Sequence, residues 1–292
     1  MNTYVVEGGI GKCVSFSALL PELRKKSDIQ IYTPYIDVFA NNPDVKLVLE
    51  QTLPIQDPRI MASDNIYYCE PYKSNFQFGK QHIIESYCEH HGVEFNKSMK
   101  PKMYTEQHKE AVDKWLSDNK IEKYILVQFS GGQPKAGFNA NNQYTNINPN
   151  RNYQPFLAQQ VINYLKEEYP DTVIIDCTLP NEPSYMNTIK CDLHFAQIHE
   201  LLKGAEGFIS IDSCLQHFSA SAEKHGVVIW GSTRWTQFGY SHNKNLQFHM
   251  KDEWNETKFI DSDPRNNMVE PKLVIDEYKK LDKNKLVACA TE

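Results

Sequence analysis

The pattern of apolar and polar positions along this chain starts an α/β unit twice. Residues 3–7 (TYVVE) form an apolar run of strand length that stops at the turn Gly8-Gly9-Ile10-Gly11. From Lys12 to Lys26 apolar residues recur at helical spacing (Val14, Phe16, Leu19, Leu20, Leu23), and Ile29–Tyr32 is a second short apolar run. Strand, glycine turn, amphipathic helix and strand are the opening of a doubly wound parallel sheet. The same order returns at Lys123–Phe129 (KYILVQF), which ends in Ser130-Gly131-Gly132. A polar, Asn-rich loop then runs to about Arg151, Phe156–Glu168 is amphipathic, and Thr172–Cys177 reads as another strand. A helix over Leu193–Gly204 leads into strand Gly207–Ile211, the polar turn Asp212-Ser213-Cys214 and a helix from Leu215 to Lys224. The strand Val227–Trp230 follows and ends at Gly231-Ser232-Thr233. Further helices are predicted at Lys80–His91 and at Thr105–Asn119, the latter with Trp115 and Leu116 on its apolar side. Residues 45–80, rich in Pro, Tyr and Asn, show no clear period and read as irregular.

The expectation is an α/β protein of two Rossmann-like domains facing a central cleft, over 1–120 and 121–255. A third segment, 256–292, carries a charged amphipathic helix (Pro271–Leu281) expected to cross back onto the first domain. At 292 residues with 40% hydrophobic content, sizeable cores are available. A net charge of −6 argues against a protein that broadly coats nucleic acid. Seven scattered cysteines without a C-x-x-C pair read as reduced thiols of a cytosolic protein. No basic and apolar leader opens the sequence, and no apolar run nears the roughly 18–20 residues of a membrane span. A soluble, cytoplasmic protein is expected, in a host cytoplasm if the abundance of Asn, Lys, Ile and Tyr reflects a phage genome.

Chemistry concentrates where the strands end. The turn Asp212-Ser213-Cys214 opens a helix that Ser213 can cap, and the free backbone N–H groups of a helix's first turn bind anions. A nucleoside diphosphate is the ligand expected there.

Several stretches resemble, in order, the glycosyltransferase family of lipopolysaccharide heptosyltransferases (family nine), which has the GT-B fold. They are Gly8-Gly-Ile-Gly-Lys12 with Ala18-Leu-Leu-Pro-Glu-Leu23, then Val127-Gln-Phe-Ser-Gly-Gly132. Helix 193–204 follows, then Asp212-Ser-Cys-Leu-Gln-His217 and Gly231-Ser-Thr233. The resemblance implies an inverting, metal-independent sugar transfer from a nucleotide-sugar co-substrate, with no other cofactor. It implies a donor diphosphate held by Asp212, Ser213, Cys214, Leu215, His217, Gly231, Ser232 and Thr233. Lys135 and Arg151, which flank the loop after 132, fall where the family carries a cation for the phosphates. Glu182 falls at the ribose-binding acid, and Ile198, with Gln197, near the base pocket. His217 can serve as an imidazolium facing the leaving group or as a buried, satisfied histidine. The acceptor would sit around Gly8, Gly9, Gly11 and Lys12.

One position departs from the family. Its catalytic Asp follows the last glycine of the first turn, and here that residue is Lys12. Inverting transfer needs a base near the acceptor hydroxyl. Glu7 and Asp37 are the favoured candidates, with Glu70 and His82 behind them, while Lys12 itself suits an anionic acceptor or a phosphate. The acceptor expected is a saccharide or glycolipid. The alternative is a hydroxymethylated base in DNA, flipped out beside a basic rim of Arg24, Lys25, Lys26, Lys97, Lys100 and Lys102. Two other readings stand beside these. Glu7-Gly-Gly-Ile-Gly-Lys-Cys13 is similar to the deviant Walker A loop of MinD/ParA-like ATPases, but lacks its leading Lys and its Ser/Thr. A non-catalytic sugar-nucleotide-binding protein would share the diphosphate site. Asp261-Ser-Asp263 reads as a turn, and Cys88-Glu-His90-His91 as a helix end rather than a metal site.

Overall fold

The structure, a computed structural model, describes residues 1–131, 151–178, 182, 184–247 and 268–289. Two parallel sheets carry the fold. The first half runs β1 (Asn2–Val5), α1 (Ile10–Phe16), α2 (Leu20–Arg24), β2 (Ile29–Thr33), α3 (Ile36–Phe39), β3 (Leu47–Glu50), α4 (Pro58–Met61), β4 (Asn65–Tyr68), α5 (Ser74–Gln77), α6 (Ile83–His90) and α7 (Lys109–Asp118). Its four strands lie in the order β3-β2-β1-β4. The second half comprises β5 (Tyr124–Gln128), α8 (Pro155–Glu168), β6 (Val173–Asp176), β7 (Ile189–Lys190), α9 (Phe195–Gly204) and β8 (Gly207–Ile211). It continues with α10 (Cys214–Ala222), β9 (Gly226–Trp230), α11 (Trp235–Phe238), β10 (Lys244–Gln247) and α12 (Pro271–Cys289). Here the order is β10-β9-β8-β5-β6-β7, and every pairing in both sheets is parallel.

The central strands β5, β8 and β9 are buried throughout, which explains their unbroken apolar runs. The single helix expected over 12–26 is broken into α1, a 3₁₀ turn at Ser17–Leu19, and α2. Pro21 lies in the first turn of α2 and has no N–H to continue the α1 ladder. In the stretch read as irregular, β3 and β4 are the two edges of the first sheet. β4 is exposed along its length and so carries no buried apolar period.

The carboxyl-terminal helix corrects its expectation: it packs on the second half and does not cross to the first. Val274, Ile275 and Tyr278 are buried with Leu165, Val227 and Ile229, and Leu281 lies against the same core. The Tyr278 ring meets Tyr169 edge-on at 5.9 Å, while Glu277 pairs with Lys244 on β10 at 3.0 Å and Lys279 with Glu168 at 2.6 Å. The stripe 274, 275, 278, 281 has helical spacing and fits the outer face of the second sheet, where matching charges rim it.

The two halves share one continuous core that includes Phe16, Leu20, Val112, Leu202, Phe218 and Trp230. α1 lies against α10, and Gly11 makes that approach possible. A Cβ there would stand 2.5 Å from the His217 ring.

Candidate functional site

In an open parallel sheet, ligands bind beyond the carboxyl ends of the strands, where the strand order reverses. The first sheet reverses between β1 and β4, the second between β5 and β8. Beyond β1 and β4 stand the Gly8–Lys12 turn and Glu70; beyond β5 and β8 stand Ser130-Gly131 and Asp212-Ser213. Contact of α1 with α10, with Gly11 against the His217 ring, brings the two halves together beside these places.

On the second side the turns knit together. Asp212 is buried; its Oδ2 accepts from the Thr233 hydroxyl at 2.5 Å and lies 3.4 Å from Nη2 of Arg151. Nη2 also donates to the Asp212 carbonyl. Ser213 occupies the N-cap position in extended conformation, yet its side chain does not cap α10. Its hydroxyl donates instead to Gln128 Oε1 at 2.6 Å, which corrects the expected cap. The first-turn N–H groups of α10 therefore receive no side-chain cap from Ser213, the arrangement an anion requires. Gly131 abuts Ser213, with its N–H donating to Asn152 Oδ1 at 3.1 Å. Ser232 and Thr233, beside Gly231, are buried beyond β9. The Cys214 thiol is pushed up to about 11 by burial, and Leu215 is a core residue.

Glu182 accepts from the Ser130 hydroxyl, and its carbonyl accepts from Lys190 Nζ at 3.3 Å. Glu182 and Ser130, together with Thr178, Asn152 and Tyr185, line a cavity of about 580 Å³ at the ends of β5 and β6. Lys190 also lies 3.4 Å from the buried Asp176. Ile198 on α9 is half-buried against the main core. Lys135 lies outside the described residues, as does Asp261-Ser-Asp263.

His217 is a buried histidine, not an imidazolium facing a leaving group. The Gln216 amide donates to its Nε2 at 2.9 Å; Ser15 Oγ and the Tyr240 hydroxyl lie 3.1 and 3.0 Å from Nδ1. Burial pulls its pKa down to about 4, so the ring is neutral at pH 7 and the imidazolium expectation is corrected. His82 is similar: burial lowers it to about 4, and both ring nitrogens are engaged, by Gly239 O and the Ile84 N–H.

On the first side, Gly8 has φ +96°, a conformation suited to glycine, and the Lys12 side chain folds over it. Lys12 Nζ lies 3.1 Å from Glu70 Oε2 and 4.6 Å from the centroid of the Tyr72 ring. Burial raises the pKa of Tyr72, with further contributions from the charges of Glu70 and of Asp212. Glu7 is exposed and accepts from the Gln51 amide at 2.5 Å. Asp37 Oδ2 lies 3.6 Å from Nδ1 of His194, at the start of α9.

The Arg24–Lys26 part of the expected basic rim lies away from this face. Lys25 pairs with Glu22, Arg24 with Asp28 just before β2, and Lys26 donates to the Gly92 carbonyl at 2.7 Å, all at the amino-terminal end of the sheet. Lys100 pairs with Glu223. The Walker A reading fails too: Cys13, at the place of the magnesium-binding hydroxyl, is buried against Val6 O and Thr33. Among the described residues no three His, Cys, Asp or Glu side chains are grouped to hold a metal ion, and no helix is long and apolar enough to cross a membrane. Tyr72, Gln128, Asn152 and Lys190 were invisible to motif reading, because each acquires its place only through strand order.

Residues 172–268 match the family model "Glycosyltransferase family 9 (heptosyltransferase)". No curated protein matches the chain. Among solved structures, the E. coli ADP-heptose lps heptosyltransferase II is similar with a TM-score of 0.70 at 11% identity, covering 98% of this chain and 99% of that one. A family 9 glycosyl transferase from Veillonella parvula gives 0.69 at 11% identity, covering 97% of each chain. The iron-containing dodecameric glycosyltransferase TibC from enterotoxigenic E. coli gives 0.64 at 11% identity, covering 97% of this chain and 76% of that one. The fold is that of the GT-B glycosyltransferases it resembles, and the family-nine resemblance is carried by residues 172–268, which include the Asp212–His217 turn.

Proposed function

We propose that this protein moves a sugar from a nucleoside-diphosphate sugar to a hydroxyl of a saccharide or glycolipid, with inversion and without a resident metal. The observation that carries this reading is the meeting of two halves near their strand switch points, with the α10 N-terminus not capped by Ser213 in one and the Lys12–Glu70 pair in the other. Negative charge grows on the departing diphosphate, so stabilisation must be aimed there. The N–H groups at Ser213–Leu215 and the Arg151 guanidinium supply it, with Ser232 and Thr233 bordering the site and the Thr233 hydroxyl bracing Asp212. Lys135 is the further cation assigned to the phosphates. Glu182 suits a pair of ribose hydroxyls, which a carboxylate accepts well, and Ile198 contributes to the base side. The acceptor rests on Gly8, Gly9 and Gly11, where backbone without side chains permits close approach. Enclosure by both halves keeps water from intercepting the donor.

The named relatives point first to ADP-heptose as the donor to try. Thermal-shift titration with ADP-, UDP-, GDP- and CMP-sugars, beside ATP with Mg²⁺, tests the reading. One sugar nucleotide is expected to raise the melting temperature, by about 3 kcal/mol of added stability at a hundredfold excess over Kd. Asp212→Ala, which unties Thr233 and Arg151, should remove that shift. Stabilisation by ATP–Mg²⁺ alone would sink the transferase reading.

A further inference from the structure

We infer that Glu70 is the general base of the transfer, held in place by Lys12, so that the acid absent from the glycine turn is replaced from the neighbouring strand. This rests on the transferase reading above.

The geometry singles Glu70 out among the first-half carboxylates. It follows β4, the strand directly beside β1, and so stands at the switch point next to the Gly8–Lys12 turn. Two donors fix it: Lys12 Nζ to Oε2 at 3.1 Å and the Tyr72 N–H to Oε1 at 3.1 Å. Lys12 is itself fixed, since its chain lies over Gly8 and its ammonium over the Tyr72 ring. The α1–α10 contact, with Gly11 against His217, brings this cluster's turn beside the helix whose N-terminus is proposed to hold the leaving group. Yet the Glu70 side chain stays half exposed, open to an incoming hydroxyl.

The rivals are turned elsewhere. Glu7 reaches past β2 to Gln51 beyond β3, toward the far edge of the sheet. Asp37 faces His194. His82 is buried with both nitrogens occupied.

In the step, the acceptor oxygen attacks the anomeric carbon as its proton passes to a Glu70 carboxylate oxygen. The bond from that carbon to the diphosphate oxygen breaks, and the nucleoside diphosphate leaves with the electron pair. Lys12 takes no proton; it is a positioning residue.

Water serves as acceptor for the test, so no acceptor need be identified. Release of nucleotide is measured on the full chain with ADP-, UDP-, GDP- and CMP-sugars. Glu70→Gln is expected to lower kcat by about 10²–10⁴-fold, while nucleotide still raises its melting temperature as in the unchanged protein. Glu70→Ala supplied with azide, an anionic nucleophile that needs no base, should recover turnover and yield the glycosyl azide. Lys12→Ala should lower kcat about tenfold with donor KM unchanged, and Lys12→Arg should recover it. Turnover of Glu70→Gln within about threefold of the unchanged protein overturns the assignment, as does failure of azide to restore Glu70→Ala. Loss of turnover in Glu7→Gln with Glu70→Gln active gives the role to Glu7. An unchanged protein that neither binds nor consumes any of these donors overturns the transferase reading itself.

Discussion

His217 and Lys12 show how much a side chain's surroundings decide at the scale of single residues. His217 has the sequence position of a catalytic group, but tertiary burial makes it a neutral hydrogen-bonding strut between Ser15, Gln216 and Tyr240. Burial also pulls His82 and His242 to about 4 and His91 and His199 to about 3. These rings bind protons more readily in the unfolded chain than in the folded one. Their contribution to stability is therefore complete above about 6.5 and declines as pH falls from 6.5 toward 4, with the last two extending the loss toward 3. Urea-unfolding midpoints measured across this window should fall steadily with acid. Replacing His217 by Gln, which keeps a hydrogen-bonding side chain without a titrating proton, should flatten that slope. Both the motif and the two possible states of His217 were legible in the sequence. Which state holds depends on Tyr240 and Ser15, which are brought together from opposite ends of the chain.

The prediction at the scale of elements concerns α12. Its apolar stripe was legible, but a stripe says only that a face is buried, not against what. The structure seats it on β9, β10 and α8, where Ile275 is 4% exposed. Ile275→Ala should cost about 2–5 kcal/mol by urea denaturation, and the nucleotide binding proposed for the second half should weaken with it because that half is what loosens. A stability unchanged by that substitution would contradict the packing. The strands missed by pattern, β3, β4, β7 and β10, are short edge strands whose half-solvated faces leave no apolar period to find. That mattered for the site: with β4 unread, Glu70 had no strand end to stand on, and the preference went to Glu7 and Asp37.

The whole molecule is two sheets over a shared core, with α1 against α10 and the α5 segment against α11, where the Gln237 amide donates to Phe76 O. Apolar contact of this extent couples the halves, so denaturant unfolding should proceed in one transition, coincident by tryptophan fluorescence and far-ultraviolet circular dichroism. Two separated transitions would show that the halves are energetically independent. By itself the sequence determined the βαβ order of each half, the small-residue turns at the strand ends and the family resemblance of the diphosphate turn. Those features are written in local periodicity and turn chemistry, which near neighbours along the chain suffice to specify. Only the tertiary structure decided that His217 is neutral, that Ser213 leaves α10 uncapped, that α12 packs on the second half and that Lys12 meets Glu70. Each of these depends on residues far apart in sequence, and on the loss of water around them, which no local pattern records.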